Sequence, residues 1–307
     1  MTRRTVVTGG DAKYFPLIDE LCASVRHFRT AEDLEVAVID GGLTGEQKSH
    51  LAARYGARIL EVGWGFDIPA ARIRGRDHLK VQIARSFLDQ HLPESDLIAW
   101  IDGDAWIQDI SALDMMFEAS ALGPISIVSQ SSRNATHAMH LRWIGTDWVG
   151  LGDFVQVRTI LYKNARRAGV KEAEARAIGD KGVLNTGVFT LRRDAPHWAM
   201  WRARQEEVIR RGRVFTSDQL SLALAVYVDG ASLEVAPDIC NYMGPNWCCD
   251  DAGTELIERY IPNARVGVVH MAGYDDMRRS LDITAPIRTL DGRTIHRSLR
   301  RSAWVKD

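Results

Sequence analysis

Asp102 and Asp104 are the residues of this 307-residue chain best placed to do chemistry. They follow the apolar run Leu97-Ile98-Ala99-Trp100-Ile101 and are separated by Gly103 alone. A run of that kind reads as a strand buried on both faces, and the ligand crevice of an open α/β sheet lies at the C-terminal ends of such strands. Residues i and i+2 of an extended chain project to the same side, so the two carboxylates can converge on one hard cation. Gly103 leaves room for a ligand to approach the backbone. A polyphosphate held through a divalent metal is the natural partner for this pair. Asp-x-Asp by itself is mostly found in solvated turns, but few of those close a strand this apolar.

Three further clusters narrow the reading. Leu184-Asn185-Thr186-Gly187-Val188-Phe189 places small polar residues at the opening of a strand. Ser217-Asp218-Gln219-Leu220 sets an acidic and an amide side chain at the start of a helix, facing the crevice. Val268-Val269-His270-Met271-Ala272-Gly273 is a strand ending in a histidine, with glycine three residues on. Taken alone, His270 would more often be a hydrogen-bonded structural residue.

The elements that must position these groups alternate through the first third of the chain. Thr5–Thr8 reads as a strand, followed by Gly9-Gly10-Asp11 and a helix from Tyr14 to His27. A second strand, Leu34–Asp40, closes on Gly41-Gly42. Thr44 then caps a helix to Tyr55, with Gln47 completing a capping box. Ala57–Leu60 supplies a third strand, and Asp77–His91 a helix ahead of the Asp-Gly-Asp strand. Later come strands over Ile125–Gln130, Gly187–Leu191, Leu233–Val235 and Val266–His270, and helices over Phe154–Ala177, Ala195–Arg211 and Ser217–Val228. The rhythm implies a mixed, mostly parallel sheet flanked by helices, in one continuous domain. Residues 1–105 read as its nucleotide-binding half, residues 106–277 as a substrate half, and residues 278–307 as a basic tail.

The ordered set of motifs resembles glycosyltransferase family 8, the retaining GT-A enzymes that include glycogenin, galactinol synthase and bacterial lipopolysaccharide galactosyltransferases. That pattern runs from an N-terminal strand with a polar turn and tyrosine, through a helix arginine and Asp-x-Asp, to Asn-(small)-Gly-Val, Asp-Gln and His-x-x-Gly. All of these occur here in order between about residues 5 and 275. The resemblance implies a metal-dependent, retaining transfer of a hexose-type sugar from a nucleotide-diphosphate sugar, most simply a UDP-sugar, to a saccharide, lipid-linked or other hydroxyl acceptor.

Position by position, it makes Asp102, Asp104 and His270 the ligands of Mn²⁺ or Mg²⁺. Two carboxylates and an imidazole independently suit a borderline cation such as Mn²⁺. Thr8, Asp11 and Tyr14 match the base- and ribose-contacting segment, although Tyr14 reads equally as the first core aromatic of its helix. Arg85 matches the helix arginine that reaches the donor, where a bidentate guanidinium suits phosphate or sugar hydroxyls. Lys80 is the weaker candidate and reads also as a solvated surface lysine. Asp102, Gly103 and Asp104 belong to the nucleotide site. Asn185, Thr186 and Gln219 resemble the donor-sugar contacts, and Asp218, with Gln219, stands at the reacting carbon. Gly273 and Arg278 fall at the diphosphate. Here the chain departs from the family, which continues with a lysine and Pro-Trp. This sequence has Tyr274-Asp275-Asp276-Met277-Arg278-Arg279, where Arg278 or Arg279 could serve in place of the lysine and the two aspartates would be unfavourable beside a diphosphate unless they point away.

Bulk properties agree with a soluble enzyme. With 46% hydrophobic and 26% charged residues and a net charge of −1, the chain has no electrostatic footprint for nucleic acid. No stretch approaches a membrane span, and the start Met-Thr-Arg-Arg-Thr-Val-Val lacks the apolar core of a signal peptide, so a cytoplasmic location is expected. Cys22, Cys240, Cys248 and Cys249 have neither zinc nor disulfide-framework spacing, and the adjacent pair reads as thiols in a loop. Of nine tryptophans, Trp143, Trp148 and Trp247 fall in loop-like segments and are candidate acceptor platforms, core packing being their commoner use. The tail carries seven arginines and one lysine against three aspartates. Over Ile295–Val305 it could form a basic helix, packed on the domain or lying on an anionic membrane. An aspartate-nucleophile phosphatase places its Asp-x-Asp on the first strand and needs neither Asp-Gln nor His-x-x-Gly. A non-catalytic carbohydrate-binding protein explains tryptophans but not a metal triad. A nucleotidylyltransferase would open with basic residues where this chain has Gly9-Gly10-Asp11.

Overall fold

The first strand, β1 (Arg4–Gly10), is buried along nearly its whole length, as a strand covered by helices on both faces must be. The computed structural model describes residues 2–73, 75–131, 139–144 and 154–305, with the backbone alone for 139–144 and 154–159. After β1 come α1 (Phe15–Phe28), β2 (Glu35–Asp40), α2 (Gly45–Tyr55) and β3 (Arg58–Leu60). The capping box at Thr44 and Gln47 is formed in both directions. Short helices α3 (Ala70–Ile73), α4 (Leu79–Ala84) and α5 (Leu88–His91) lead to β4 (Leu97–Ile101) and β5 (Ala105–Ile107).

The chain continues with α6 (Ser111–Ala121), β6 (Ile125–Ser129), β7 (Met139–Ile144), β8 (Phe154–Thr159), α7 (Ile160–Ala168) and α8 (Glu172–Ala177). Next are β9 (Leu184–Arg192), α9 (His197–Arg211), α10 (Ser217–Tyr227) and β10 (Leu233–Ala236). The final part holds β11 (Cys248–Cys249), β12 (Leu256–Ile257), β13 (Val268–His270), α11 (Asp275–Arg279), β14 (Ala285–Thr289) and β15 (Thr294–Arg297).

Seven strands form the central sheet in the order β10-β6-β9-β4-β1-β2-β3. All its pairings are parallel except those of β9, which runs antiparallel to both β4 and β6. The expected mixed, mostly parallel α/β architecture is therefore what the chain adopts. Strand alternation divides the core into two layers. Val6, Val36 and Ala99 pack with Ile18, Leu21 and Phe117 on one face. Val7, Ala37, Ile98 and Trp100 pack with Leu88, Trp198 and Trp201 on the other. The direction of chain progression reverses between β1 and β4, so the crevice of this sheet lies where Gly9-Gly10 and Asp102 emerge side by side.

Several expectations are corrected. The segment Phe154–Ala177 is not one helix. Phe154–Thr159 alternates β-branched with polar residues and pairs antiparallel with β7, and Gly169 at φ +76° separates α7 from α8. Nor is Asp77–His91 continuous. Between α4 and α5 residues Arg85–Phe87 tighten into a 3₁₀ turn, where Ser86 Oγ donates back to the Ile83 carbonyl at 3.2 Å. Arg202 donates to the Ser86 carbonyl at 2.8 Å and so satisfies the helix break. The tail helix over Ile295–Val305 is also absent. Alternating burial in β14, an Asp291-Gly292 turn and β15 make a hairpin, followed by a single 3₁₀ turn at Arg301–Ala303. This hairpin extends the small sheet of β11 and β12, and Arg300 pairs with Glu20 of α1 at 2.8 and 3.0 Å. Cys248 and Cys249 are buried in β11 rather than lying in a loop. Among the described residues no helix is long and apolar enough to cross a membrane.

Candidate active site

Asp102 leaves β4 and turns at once, the Ala105 N–H donating to its carbonyl at 2.9 Å and launching β5. Because β5 pairs antiparallel with β13 in the register Ala105↔His270, the histidine is delivered to the same turn from 168 residues further along the chain, counting Asp102 to His270. From the opposite side β9 lies against β4, and the Asp102 N–H donates to the Gly187 carbonyl at 2.7 Å. One ligand atom each from Asp102, Asp104 and His270 lies within 4.8 Å of the other two. His270 Nε2 stands 3.4 Å from Asp104 Oδ1 and 3.9 Å from Asp102 Oδ2. Gly187 is required by this convergence. A Cβ there would sit 2.5 Å from His270 Cε1, 2.7 Å from Asn185 Oδ1 and 2.9 Å from Asp102 Oδ2.

The two carboxylates are each divided between an arginine and the histidine. Asp102 Oδ1 accepts from Trp100 Nε1 at 2.8 Å and from Arg85 Nη2. Asp104 Oδ2 accepts from Arg278 Nη1 at 2.6 Å. Their second oxygens face His270. Burial pushes the Asp102 carboxyl up, and Arg85 and His270 oppose that shift without cancelling it. Burial acts in the same direction on Asp104, but His270 and Arg278 outweigh it and hold this carboxyl at about 2. For His270 burial works against protonation, and Asp104 more than offsets it, so the imidazole is raised. Two carboxylates and an imidazole, with no side chain at Gly187 to fill the space, fit a borderline divalent cation.

Arg85 is the second centre of organisation and is 6% exposed. Its Nη1 donates to Asp218 Oδ2 at 2.7 Å and to Thr186 Oγ1 at 3.3 Å, while its guanidinium lies 4.7 Å from the Trp100 ring centroid. Thr186 Oγ1 in turn donates to Asp218 Oδ2 at 2.8 Å. Asp218 opens α10, after Thr216 at φ +65°. Its Oδ1 and Arg85 Nε are buried with no hydrogen-bond partner among the described residues. One network therefore joins Asp102, Arg85, Thr186 and Asp218.

Tyr14 forms a third group with Arg278. The hydroxyl accepts from Arg278 Nη1 at 3.0 Å, and the ring lies 5.9 Å from the guanidinium. Burial and the neighbouring Asp104 raise the phenol, with Arg278 opposing. Asp11 shapes the turn before it, its Oδ1 accepting the Lys13 N–H at 3.0 Å and the Tyr14 N–H at 3.2 Å. Arg278, and not Arg279, reaches the carboxylates. Arg279 is exposed beside Asp276, and Asp275 pairs with Arg278 while its side chain is 68% exposed.

Thr8 is buried on β1, close to Gly103, whose added Cβ would lie 3.3 Å from the Gly9 carbonyl oxygen and 3.7 Å from Thr8 Oγ1. Gly273, at φ +83°, has open space where a side chain would be. Lys80 and Gln219 are half-buried and join none of these contacts among the described residues. Trp247 packs in the core with Tyr242 and donates to Tyr274 Oη at 2.8 Å, which removes it as an acceptor platform. Trp148 lies outside the described residues, and Trp143 falls in β7, where the backbone alone is described. Sequence reading passed over Asn241, which touches both His270 and Asn185 at 2.7 and 3.0 Å. A lone polar residue between buried Cys240 and Tyr242 was the signal it offered.

No family model and no curated protein matches this chain. Solved structures with a similar fold include the WbbM bifunctional glycosyltransferase, with a TM-score of 0.51 and 14% identity over 89% of this chain and 46% of that one. The chain thus spans about half the length of that protein. Mouse xyloside xylosyltransferase 1 aligns with a TM-score of 0.50 and 10% identity over 89% of this chain and 98% of its own. A galactosyltransferase, LgtC, in complex with donor and acceptor sugar analogues gives a TM-score of 0.46 at 14% identity, covering 88% and 87% of the two chains. At such identities the first two matches establish a shared fold: this chain has the mixed α/β, mostly parallel GT-A architecture found in glycosyltransferases.

Proposed function

We propose that this protein is a metal-dependent, retaining glycosyltransferase of the family 8 type. It would take a hexose-type sugar from a nucleotide-diphosphate sugar, most simply a UDP-sugar, to a saccharide or lipid-linked hydroxyl. The observation that carries the reading is the convergence of Asp102, Asp104 and His270 within 4.8 Å at the crevice of the central sheet, beside the Arg85–Asp218 pair. A structural ion-pair cluster would need neither a glycine at the point where the three ligands crowd together nor an unpaired, buried Asp218 oxygen beside them.

In this reading Asp102, Asp104 and His270 hold Mn²⁺ or Mg²⁺, which as a Lewis acid offsets charge on the departing nucleoside diphosphate. Thr8, Asp11 and Tyr14 border the nucleoside, and Arg278, with the open backbone at Gly273, takes the diphosphate. Asn185, Thr186 and Gln219 hold the sugar hydroxyls. Asp218 Oδ1 is the oxygen left for positive character at the sugar carbon, while Arg85 keeps Oδ2 engaged.

Screening nucleotide sugars by thermal shift and by Mn²⁺-dependent hydrolysis tests the proposal. A UDP-sugar should stabilise the protein only with Mn²⁺ present, and Asp104→Ala should remove that stabilisation while retaining the circular dichroism of the parent. Nucleotide binding that is indifferent to Mn²⁺ and to Asp104 would refute it. Release of phosphate from sugar phosphates without an acceptor would favour a phosphatase instead.

A further inference from the structure

His270 and Asn241 are both buried, and a chain of hydrogen bonds runs from the β9 backbone through them to the carboxylate pair. Its proton polarity can be read from one end. The Gly187 N–H can only donate, and it donates to Asn185 Oδ1 at 2.8 Å. That same oxygen receives Asn241 Nδ2 at 3.0 Å, so Asn241 turns its amide nitrogen toward Asn185 and its oxygen toward His270. Asn185 Nδ2, directed to Met243 Sδ at 3.2 Å, agrees with this orientation. Asn241 Oδ1 lies 2.7 Å from His270 Nδ1, which must therefore carry a hydrogen. Nε2 is then the ring nitrogen whose lone pair can be offered to a cation between Asp102 and Asp104.

The backbone holds both residues in register. The Tyr242 N–H donates to the Val268 carbonyl at 2.9 Å, and the His270 N–H returns the bond to the Tyr242 carbonyl at 2.9 Å. Asn241 thus has little freedom to leave the imidazole.

The geometry points to Asn241 as a positioning residue that locks His270 in the Nδ1–H tautomer and aims Nε2 at a divalent cation. This inference rests on the metal-site reading above. It also couples that site to Asn185, the proposed sugar contact, through one shared oxygen.

Mn²⁺ isotherms on metal-stripped protein, by electron paramagnetic resonance, test it for the parent, Asn241→Leu and Asn241→Asp. The leucine removes the acceptor and should weaken Mn²⁺ binding by about 10- to 100-fold. Aspartate keeps an acceptor on Nδ1 but gives up the Nδ2 donation to Asn185 Oδ1, so it should bind Mn²⁺ less tightly than the parent and clearly more tightly than the leucine variant. A merely structural role predicts the reverse order, because aspartate buries a further charge near Asp102 and Asp104. Asn241→Ala serves as the acceptor-free variant if the leucine protein does not fold. Parent-like affinity in the leucine or alanine variant, or equal loss in the aspartate variant, would overturn the positioning role and leave the metal site standing. A parent that fails to bind Mn²⁺ would overturn both.

Discussion

Arg278 Nη1 lies 2.6 Å from Asp104 Oδ2 and 3.0 Å from Tyr14 Oη, although Arg278 and Asp104 are 174 positions apart. One guanidinium thereby links the Asp-Gly-Asp turn to the aromatic residue at the head of α1. It occupies an oxygen of the very carboxylate proposed to bind a cation, and it stands where a diphosphate would need a positive partner.

That double role makes two effects of opposite sign. Arg278→Ala should strengthen binding of Mn²⁺ alone, since a competing cation leaves Asp104. The same change should weaken Mn²⁺-dependent UDP binding by about 1.5–3 kcal/mol, on the order of ten- to a hundredfold in Kd. Calorimetric titrations with metal alone and then with nucleotide separate the two, and a parallel loss in both would argue against a diphosphate contact.

Gly187→Ala should empty the metal site without dismantling the sheet. The added methyl group meets His270 Cε1 at 2.5 Å and Asp102 Oδ2 at 2.9 Å, so the ligands must separate. Overpacking of this kind costs about 1–3 kcal/mol of stability. The variant should melt cooperatively at a lower temperature and show no high-affinity Mn²⁺ binding, and an unchanged isotherm would show that the three residues do not form the site.

Asp218→Asn should lower turnover much more than donor affinity. The amide still offers Arg85 and Thr186 an oxygen but carries no charge to meet positive character in the transition state, so a fall in kcat on the order of a hundredfold is expected. Steady-state kinetics distinguish this from a binding residue, for which KM would carry the loss.

Stereochemistry tests the type of reaction independently of any one side chain. A UDP-α-sugar donor should give an α-linked product, visible in the anomeric proton coupling by NMR. A β-linked product would contradict retention even with the metal site intact.

Much of the site was legible because its parts announce themselves locally. A strand buried on both faces must be apolar throughout, so Leu97–Ile101 and the carboxylates at its end stand out in the sequence. Thr44 and Gln47 declare their helix start in the same way. The hairpin of β14 and β15 was equally legible in its alternation and its Asp-Gly turn, but the density of arginines drew the reading toward a basic helix. For Phe154–Thr159 an alternating pattern was overridden by the helical stretch that follows it.

By itself the sequence determined the α/β layering, the strand ends and the residue types available for chemistry, because burial and turn formation act over a few neighbouring residues. Only the tertiary structure decided which of those residues meet. Insertion of antiparallel β9 beside β4 brings Gly187 and Asn185 to Asp102, and pairing of β5 with β13 brings His270 to Asp104. Such contacts depend on strand order and register across roughly a hundred residues or more, which no local periodicity encodes. For that reason Arg278 could be separated from Arg279, and Asn241 found beside His270, only once the chain was folded.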